Sequence, residues 1–276
     1  MYRQIVLPTK ELLPYVRNFM ISGFDSPDVH LPATVDVQLV IYLRGGSFLP
    51  DAGGRFAERA PAAFVCGPSL LPRLFRVTPN SLFIAATFRP AGFFSCFGIP
   101  ANLLGHRPVP LEAMIGNGAS AALQESLLLK KNIQPHAILE TFLQQQLRLR
   151  RTETALPALA LGQLLSPTAE LARALDISTR QLERRFLSHH GMPLRDYRRL
   201  ARFSTALACL LQHTSQRIAL VRIAQEAGYV DQAHFTRDFH QFVGATPGRY
   251  VKSRGQDDSV YRLWQLTPQE LTAFVD

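Results

Sequence analysis

The 276-residue chain predicts two parts of different fold class. The N-terminal part is α+β, a small antiparallel sandwich or barrel with added helices. The C-terminal part is all-α and carries two helix-turn-helix units. Three observations predict this division. Short apolar, β-branched runs between proline and glycine breaks dominate the start of the chain. Helical periodicity takes over from Ala119. Twice in the C-terminal part, a short apolar helical run stops and is followed by a capping residue and a second amphipathic run.

Taken in order, Met1 to Phe24 is mixed, and Glu11 to Met20 reads as a short helix with Pro14 in its first turn. Thr34 to Leu43, TVDVQLVIYL, is β-branched and stops at Gly45-Gly46. Ala62 to Cys66 and Leu82 to Phe88 are further strand-like runs. Phe88 to Pro100 leads from a strand into a short helix, and Gly116 to Gly118 mark a loop. Ala119 to Lys131 and Pro135 to Arg150 read as helices. The second has Ile138, Phe142, Leu143, Leu147 and Leu149 on an imperfect apolar stripe. The polar run RTETALP places a boundary around Arg150 to Pro157, giving a first domain over 1–150 and a second over 151–254.

In the second domain, the earlier unit spans about 166–191. Ser166 reads as a cap with Pro167 first in its helix, and Leu171, Ala172, Leu175 and Ile177 face inward. The run before it is compact and leaves little room for a long first helix. Ser178 to Gln181 has the S-x-x-Q spacing of a capping box. The helix that follows buries Leu182 and Phe186, with Leu187 as a further inward candidate, and puts Arg180, Glu183 and Arg184 on the other side. Leu194 to Leu211 is an unbroken amphipathic run with Tyr197, Leu200, Phe203, Leu207 and Leu210 as core positions. The later unit spans about 218–243. Its first helix ends at Gly228, a residue that tolerates the left-handed backbone of a helix stop. Asp231 caps the next helix, which buries Phe235, Phe239 and Phe242 and turns Gln232, His234, Thr236 and Arg237 outward. Gly244 and Pro247 end it. The tail, 255–276, contains the only tryptophan, Trp264, and its pattern Leu263, Trp264, Leu266 and Leu271 reads as a short docked helix.

Composition limits the function classes. Apolar content of 47% and charged content of 18% describe a globular protein. The net charge of +9 is unevenly placed: Arg151 to Arg254 holds 15 basic against 8 acidic residues, and the rest of the chain 15 against 13. An arginine-rich excess on one part predicts a phosphate backbone as partner. Three widely spaced cysteines, Cys66, Cys96 and Cys209, each in apolar surroundings, predict reduced thiols and a cytoplasmic location. The start reads as no signal peptide, and no apolar run reaches membrane-spanning length, so no membrane partner is expected. No H-x-H pair accompanies His30 or His106, no G-x-S-x-G or P-loop occurs, and no Cys/His spacing fits a metal. An enzyme, a metal site and a cofactor are therefore not expected.

Gly228-Tyr229, Phe235, Phe239, Gly244, Thr246-Pro247 and Tyr250 together resemble the signature of the AraC/XylS family of bacterial transcription regulators. More loosely, VDVQLVIYL, FVCGP and FRPAGFFSCFGIP resemble one subgroup of that family's cupin-like effector and dimerisation domains. The two resemblances cover nearly the whole chain. They imply that the long helix between the units holds two reading helices about one turn of B-DNA apart, ~34 Å. By position they imply Arg180, Glu183 and Arg184 on the first helix, and Gln232, Ala233, His234 and Arg237 on the second, as base-facing. Arginine can bond guanine O6 and N7, whereas the Ala233 methyl can only touch a thymine methyl. Ser178, Thr179, Arg185, Thr236 and Arg249 would meet phosphates, and Arg198, Arg199 and Arg202 read as surface or phosphate-positioning groups. Arg202 could instead pair with Asp196 or Glu226.

The implied function is a sequence-specific regulator that binds double-stranded promoter DNA under control of a small-molecule effector; the resemblance favours an activator, which would touch RNA polymerase, and repression is the other reading. Tyr42, Phe88, Arg89 and Phe93 are the candidate effector contacts, within a cluster that includes Phe83, Phe94 and Phe97; a plain aromatic core is the other reading of that cluster. The helix from Pro135 to Arg150 could pair two protomers in a homodimer or pack on its own sheet. A constitutive DNA-binding regulator and a DNA-modifying protein are the alternatives. The second would need a reactive cysteine, for which Cys66 and Cys96 lack the signature.

Overall fold

A computed structural model describes residues 2–23, 28–130, 132–150, 156, 159, 161–212 and 220–254. The tail with Trp264, and residues 151–155 and 157 of the expected boundary, lie outside the described residues. Ten strands come first or nearly so: β1 Tyr2–Val6, β2 Val16–Gly23, β3 Asp28–Leu31, β4 Gln38–Arg44, β5 Ser47–Pro50, β6 Phe56–Arg59, β7 Ala63–Cys66, β8 Arg73–Val77, β9 Leu82–Phe88 and, after one helix, β10 Val109–Pro110. Helices α1 Gly92–Phe97, α2 Glu112–Ile115, α3 Asn117–Leu129 and α4 Pro135–Leu149 complete the N-terminal part, with a 3-10 turn at Ala101–Leu104. The C-terminal part is helical: α5 Leu161–Leu165, α6 Thr168–Ala174, α7 Thr179–His190, α8 Leu194–Gln212, α9 Leu220–Glu226, α10 Gln232–Val243 and α11 Pro247–Arg254.

The strands form two antiparallel sheets, one in the order β1-β2-β9-β4-β7-β10 and one in the order β3-β8-β5-β6. The larger sheet is covered on both faces, which is why its central strands read as continuous apolar runs rather than alternating ones. In β9, Phe83 and Ala85 face the smaller sheet, while Ile84, Ala86 and Phe88 face the helices. In β4, Leu39 and Ile41 share the helix-side core with Leu139 and Leu143 of α4. The smaller sheet has only one covered face, and β8 alternates accordingly: Arg73, Phe75 and Val77 are buried, Leu74 and Arg76 exposed.

The expected helix over Glu11 to Met20 is not formed. Thr9 to Val16 makes one helical turn, with the Leu13 and Val16 amides donating to Thr9 and Leu12 carbonyls at 2.9 and 2.8 Å. The chain then enters β2, which pairs with β1 and β9 on its two sides. The spacing Leu12, Val16, Met20 imitates a helical stripe. Two ladders of backbone hydrogen bonds and the β-branched Val16 and Ile21 decide for the strand. On α4, Leu139 and Leu143 carry the burial, and Leu149, placed on the stripe, is 76% exposed.

The C-terminal core gathers around α8, whose Tyr197, Leu200, Phe203, Leu207 and Leu210 are all buried as expected. Its phenylalanines interlock edge-on: Phe203 meets Phe239 and Phe242 of α10 at 5.6 and 5.1 Å between ring centres. This core also takes in Ala33, 2% exposed, from the segment between β3 and β4. The Ala33 amide donates to the Phe242 carbonyl at 2.8 Å, so the sheet part and the helical part share a seam. Phe94 of α1 stacks on His189 at the end of α7, 4.1 Å between ring centres, on the same seam.

Candidate nucleic-acid interface

Two amphipathic helices, α7 and α10, are each introduced by a side-chain cap. Ser178 Oγ accepts from the Gln181 amide at 3.2 Å, and Gln181 Oε1 accepts from the Ser178 amide at 3.0 Å, the reciprocal box that the spacing predicts. Asp231 accepts from the His234 amide at 2.6 Å. The helices close at Gly191 and Gly244, both left-handed at φ 77° and 81°. Gly228, at φ 77°, makes the turn between α9 and α10. Ser166 does not cap α6. Its hydroxyl donates back to the Gln163 carbonyl at 2.7 Å, and the helix begins at Thr168 behind Pro167.

Burial separates the faces. On α7, Leu182 and Phe186 are fully buried, while Arg180, Glu183, Arg184 and Arg185 are exposed, and so is Leu187, the inward candidate, because one residue past Phe186 it is turned about 100° off the buried stripe. On α10, Phe235, Phe239 and Phe242 are fully buried, and Gln232, Ala233 and Arg237 are exposed. At 100° per residue, Arg180 and Arg184 project opposite the buried stripe of α7, and Ala233 and Arg237 opposite that of α10. Ser178 and Thr179 at the start of α7 are exposed too, as is Arg249 on α11, and Thr236 is half-buried.

His234 departs from the expected outward placement. It is half-buried, its ring meets Tyr229 edge-on at 5.2 Å, and Nε2 lies 3.8 Å from Asp238. Asp238 is itself buried and accepts from Arg199 at 2.6 Å. Three arginines of α8 are also structural rather than free. Arg198 donates to the Leu164 and Ser166 carbonyls and the Thr168 hydroxyl, at 2.5, 2.6 and 3.0 Å, and so closes the end of α5. Arg199 donates to Asp238 and Gln241 and lies over the Phe242 ring. Arg202 sits 6.0 Å from the Tyr229 ring centre, while Glu226 is held by Arg222 and Asp196 lies nearest Arg195. Neither expected acid partner of Arg202 is used. Sequence spacing marks these arginines as outward because long side chains lie along apolar surface with the charge at its edge.

A second candidate site lies between the two sheets. It is a cavity of about 100 Å³ with walls from Met20, Val40, Tyr42, Phe75, Phe83 and Arg73 among others. Tyr42 is thus brought to a cavity. Phe88 and Phe93 are 1% exposed and belong to the core on the opposite face of the large sheet, packed edge-on at 5.7 Å. Phe83 and Phe88 are five residues apart on one strand, and an odd offset puts them on opposite faces. Arg89 lies beyond the end of β9, with its amide on the Tyr15 carbonyl, and is not among the cavity walls. The cationic wall residue is Arg73. The alternation of RLFRV is the signal that would have found it, since Arg73 shares the inward parity of Phe75 and Val77. Among the described residues no helix is long and apolar enough to cross a membrane.

Residues 171–253 match the family model described as a helix-turn-helix domain. Among solved structures, ToxT from Vibrio cholerae is similar at 12% identity over 85% of this chain and 98% of that one, with a TM-score of 0.43. The C-terminal domain of the two-component response regulator yesN from Fusobacterium nucleatum is similar at 26% identity over 32% of this chain and 82% of that one, with a TM-score of 0.28. A protein of unknown function from Listeria innocua is similar at 32% identity over 32% and 81%, with a TM-score of 0.28. No curated protein matches the chain. The matched segment runs from α6 to α11 and contains both capped, outward-facing helices, so the C-terminal part of the chain is an AraC-type helix-turn-helix domain.

Proposed function

We propose that the protein is an activator that reads two successive major-groove segments of a promoter with α7 and α10, under control of a small molecule bound in the N-terminal part. The reading rests on one observation: two capped helices on one core present Arg180 and Arg184, and Gln232 and Arg237, to solvent within the same chain. Arg180, Glu183 and Arg184, with Gln232, Ala233 and Arg237, take the base-facing role. Ser178, Thr179, Arg185, Thr236 and Arg249 meet phosphates. His234 acts through its contact with Tyr229 and Asp238. The AraC-type domain, as the family resemblance reads it, supports activation, with RNA polymerase as partner, and the cavity beside Tyr42 supports an effector.

Selection of bound duplexes from a random pool by the full-length protein tests this. The expected result is a site with two conserved blocks about one helical turn, ~34 Å, apart. Enrichment of no sequence, with binding that vanishes as salt rises, would leave only non-specific phosphate attraction and end the reading.

A further inference from the structure

Asp238, the only acid within α10, is 4% exposed. Its Oδ1 accepts from Arg199 Nη2 of α8 at 2.6 Å, and the same Nη2 donates to Gln241 at 3.0 Å. The other oxygen, Oδ2, is buried and makes no hydrogen bond among the described residues. A buried carboxylate oxygen left without a donor is costly to keep. Two side chains face it: the His234 ring, with Nε2 at 3.8 Å, and the side chain of Tyr229. The Tyr229 hydroxyl is also buried without a hydrogen bond, so neither donor has closed on the carboxylate.

His234 connects this carboxylate to the outer face of α10. Its side chain is 32% exposed. At 100° per residue it stands about 100° from the buried Phe235 and about 60° from the exposed Arg237, on the border of the reading face. The charged and titratable groups around it come from three elements. On α10 these are Asp238, Arg237 one turn on, and the capping Asp231, which accepts from the His234 amide at 2.6 Å. The turn before α10 gives Tyr229, edge-on to the ring at 5.2 Å. From α8 come Arg199, behind Asp238, and Arg202, 6.0 Å from the Tyr229 ring centre. Bound DNA adds phosphates on the exposed side, and opposite charge favours the protonated form of an imidazole.

Donor counting limits what the ring can do there. A neutral imidazole has one N–H and one bare nitrogen, whereas an imidazolium donates from both. With its single N–H given to Asp238, a neutral ring turns only a lone pair outward, which repels the oxygens of phosphate and guanine. We propose that DNA binding takes up a proton from solution on His234: Nε2–H closes on Asp238 Oδ2, and Nδ1–H donates to an acceptor of the DNA, a phosphate oxygen or guanine O6 or N7. His234 is then a proton-linked positioning residue, and α10 binds more tightly as pH falls. This rests on the reading of α10 as a DNA-reading helix and adds how one of its residues makes contact.

The test is the affinity of the full-length protein for the selected duplex between about pH 6 and 8, where imidazoles titrate, at fixed salt. The dissociation constant is expected to rise with pH by up to about tenfold per unit, the limit for one proton. Binding heats in buffers of different ionisation enthalpy are expected to show proton uptake. His234→Gln keeps a donor and an acceptor but carries no charge, and it flattens the profile and removes the uptake. Asp238→Asn lowers the pH at which half the effect is lost, and Arg199→Gln, which leaves Asp238 without its cation, raises it. A slope kept on an unrelated duplex supports a phosphate as the acceptor, and a slope confined to the selected duplex supports guanine. A flat profile in the parent, with Arg237→Ala still weakening binding, overturns the proposal and leaves the reading of α10 standing. An undiminished slope and uptake in His234→Gln overturns it as well. An unmoved half-point in either Asp238→Asn or Arg199→Gln, once a urea midpoint shows the variant folded, overturns the part given to Asp238. If Arg237→Ala and His234→Gln both leave binding unmoved at every pH, the reading of α10 falls and the proposal with it.

Discussion

Arg198, Arg199, Arg184 and Arg237 look alike in the sequence, and the structure puts the first two in hydrogen-bond networks and leaves the other two exposed. Arg199 holds Asp238, which is 4% exposed, in the middle of α10. Its removal leaves that buried carboxylate facing the more distant His234 and the Tyr229 side chain among the described residues. Arg199→Ala is expected to cost about 2–3 kcal/mol, part of it softened because Arg199 is itself partly solvated. A lower urea midpoint at unchanged slope is the readout, and an unmoved midpoint would show that the pair contributes nothing. Among the described residues, Arg184 and Arg237 are exposed and make no hydrogen bond or ion pair. Arg184→Ala and Arg237→Ala are expected to leave that midpoint within error and to lose about 1–3 kcal/mol of binding to the selected duplex. Equal binding of variant and parent in the same salt would remove them from the base-reading set. The pair of assays separates two kinds of arginine that composition counts together.

The elements legible in the sequence are those whose signals are local. The capping box at Ser178, the cap at Asp231 and the glycine stops at Gly228 and Gly244 are each contained in a few residues, and all four form as read. The strands β4, β7 and β9 were legible because both faces of their sheet are covered. β3, β5, β6 and β8 were not: they are four or five residues long, alternate with polar side chains and gain stability only from partners far along the chain. The cavity was half legible. Tyr42 belongs to it, whereas Phe88 and Phe93 were grouped by aromatic character when strand parity separates them. Contacts across the seam, such as Ala33 on Phe242, have no local signal at all. Gly191 allows a direct test of one such contact. It and Gly54 share φ 77°, but a Cβ at Gly191 would stand 2.7 Å from Pro68 Cγ and 3.0 Å from the Ala101 carbonyl, while Gly54 has nothing within 4 Å. Gly54→Ala is expected to cost about 1–2 kcal/mol, the ordinary penalty of a left-handed side chain. Gly191→Ala is expected to cost about 1–3 kcal/mol more, because the N-terminal part must give way at the end of α7. Similar urea midpoints for the two variants would mean that this contact is not kept in solution.

At the scale of the whole molecule, the C-terminal core holds a titratable group that must stay neutral. The His190 ring is 3% exposed, stacked on Phe186 at 4.0 Å and edge-on to Tyr197 at 5.4 Å. Burial pushes its pKa down to about 3, and the neighbouring His189 acts in the same direction. Burial also lowers His30 at the seam and His106 beside Arg73. The sign of the consequence follows from proton counting. Below the ordinary histidine value of about 6.5, the unfolded chain takes up a proton that the folded chain refuses, so stability falls as pH falls. The contribution of His190 is fully present above pH 6.5 and is lost progressively toward its folded value of about 3. Each such histidine adds a slope of up to about 1.4 kcal/mol per pH unit. Between about pH 6.5 and 4.5 carboxylates stay mostly ionised, so this window isolates the histidines. His190→Phe keeps the aromatic stack and removes the proton site. Its unfolding free energy is expected to decline more gently across the window than the parent's, by about one proton's slope, while His30 and His106 continue to contribute theirs. Superimposable pH profiles for parent and His190→Phe would show that His190 takes up its proton in the folded core as readily as in the open chain, and the packing of α7 against α8 would then have to admit water at that ring.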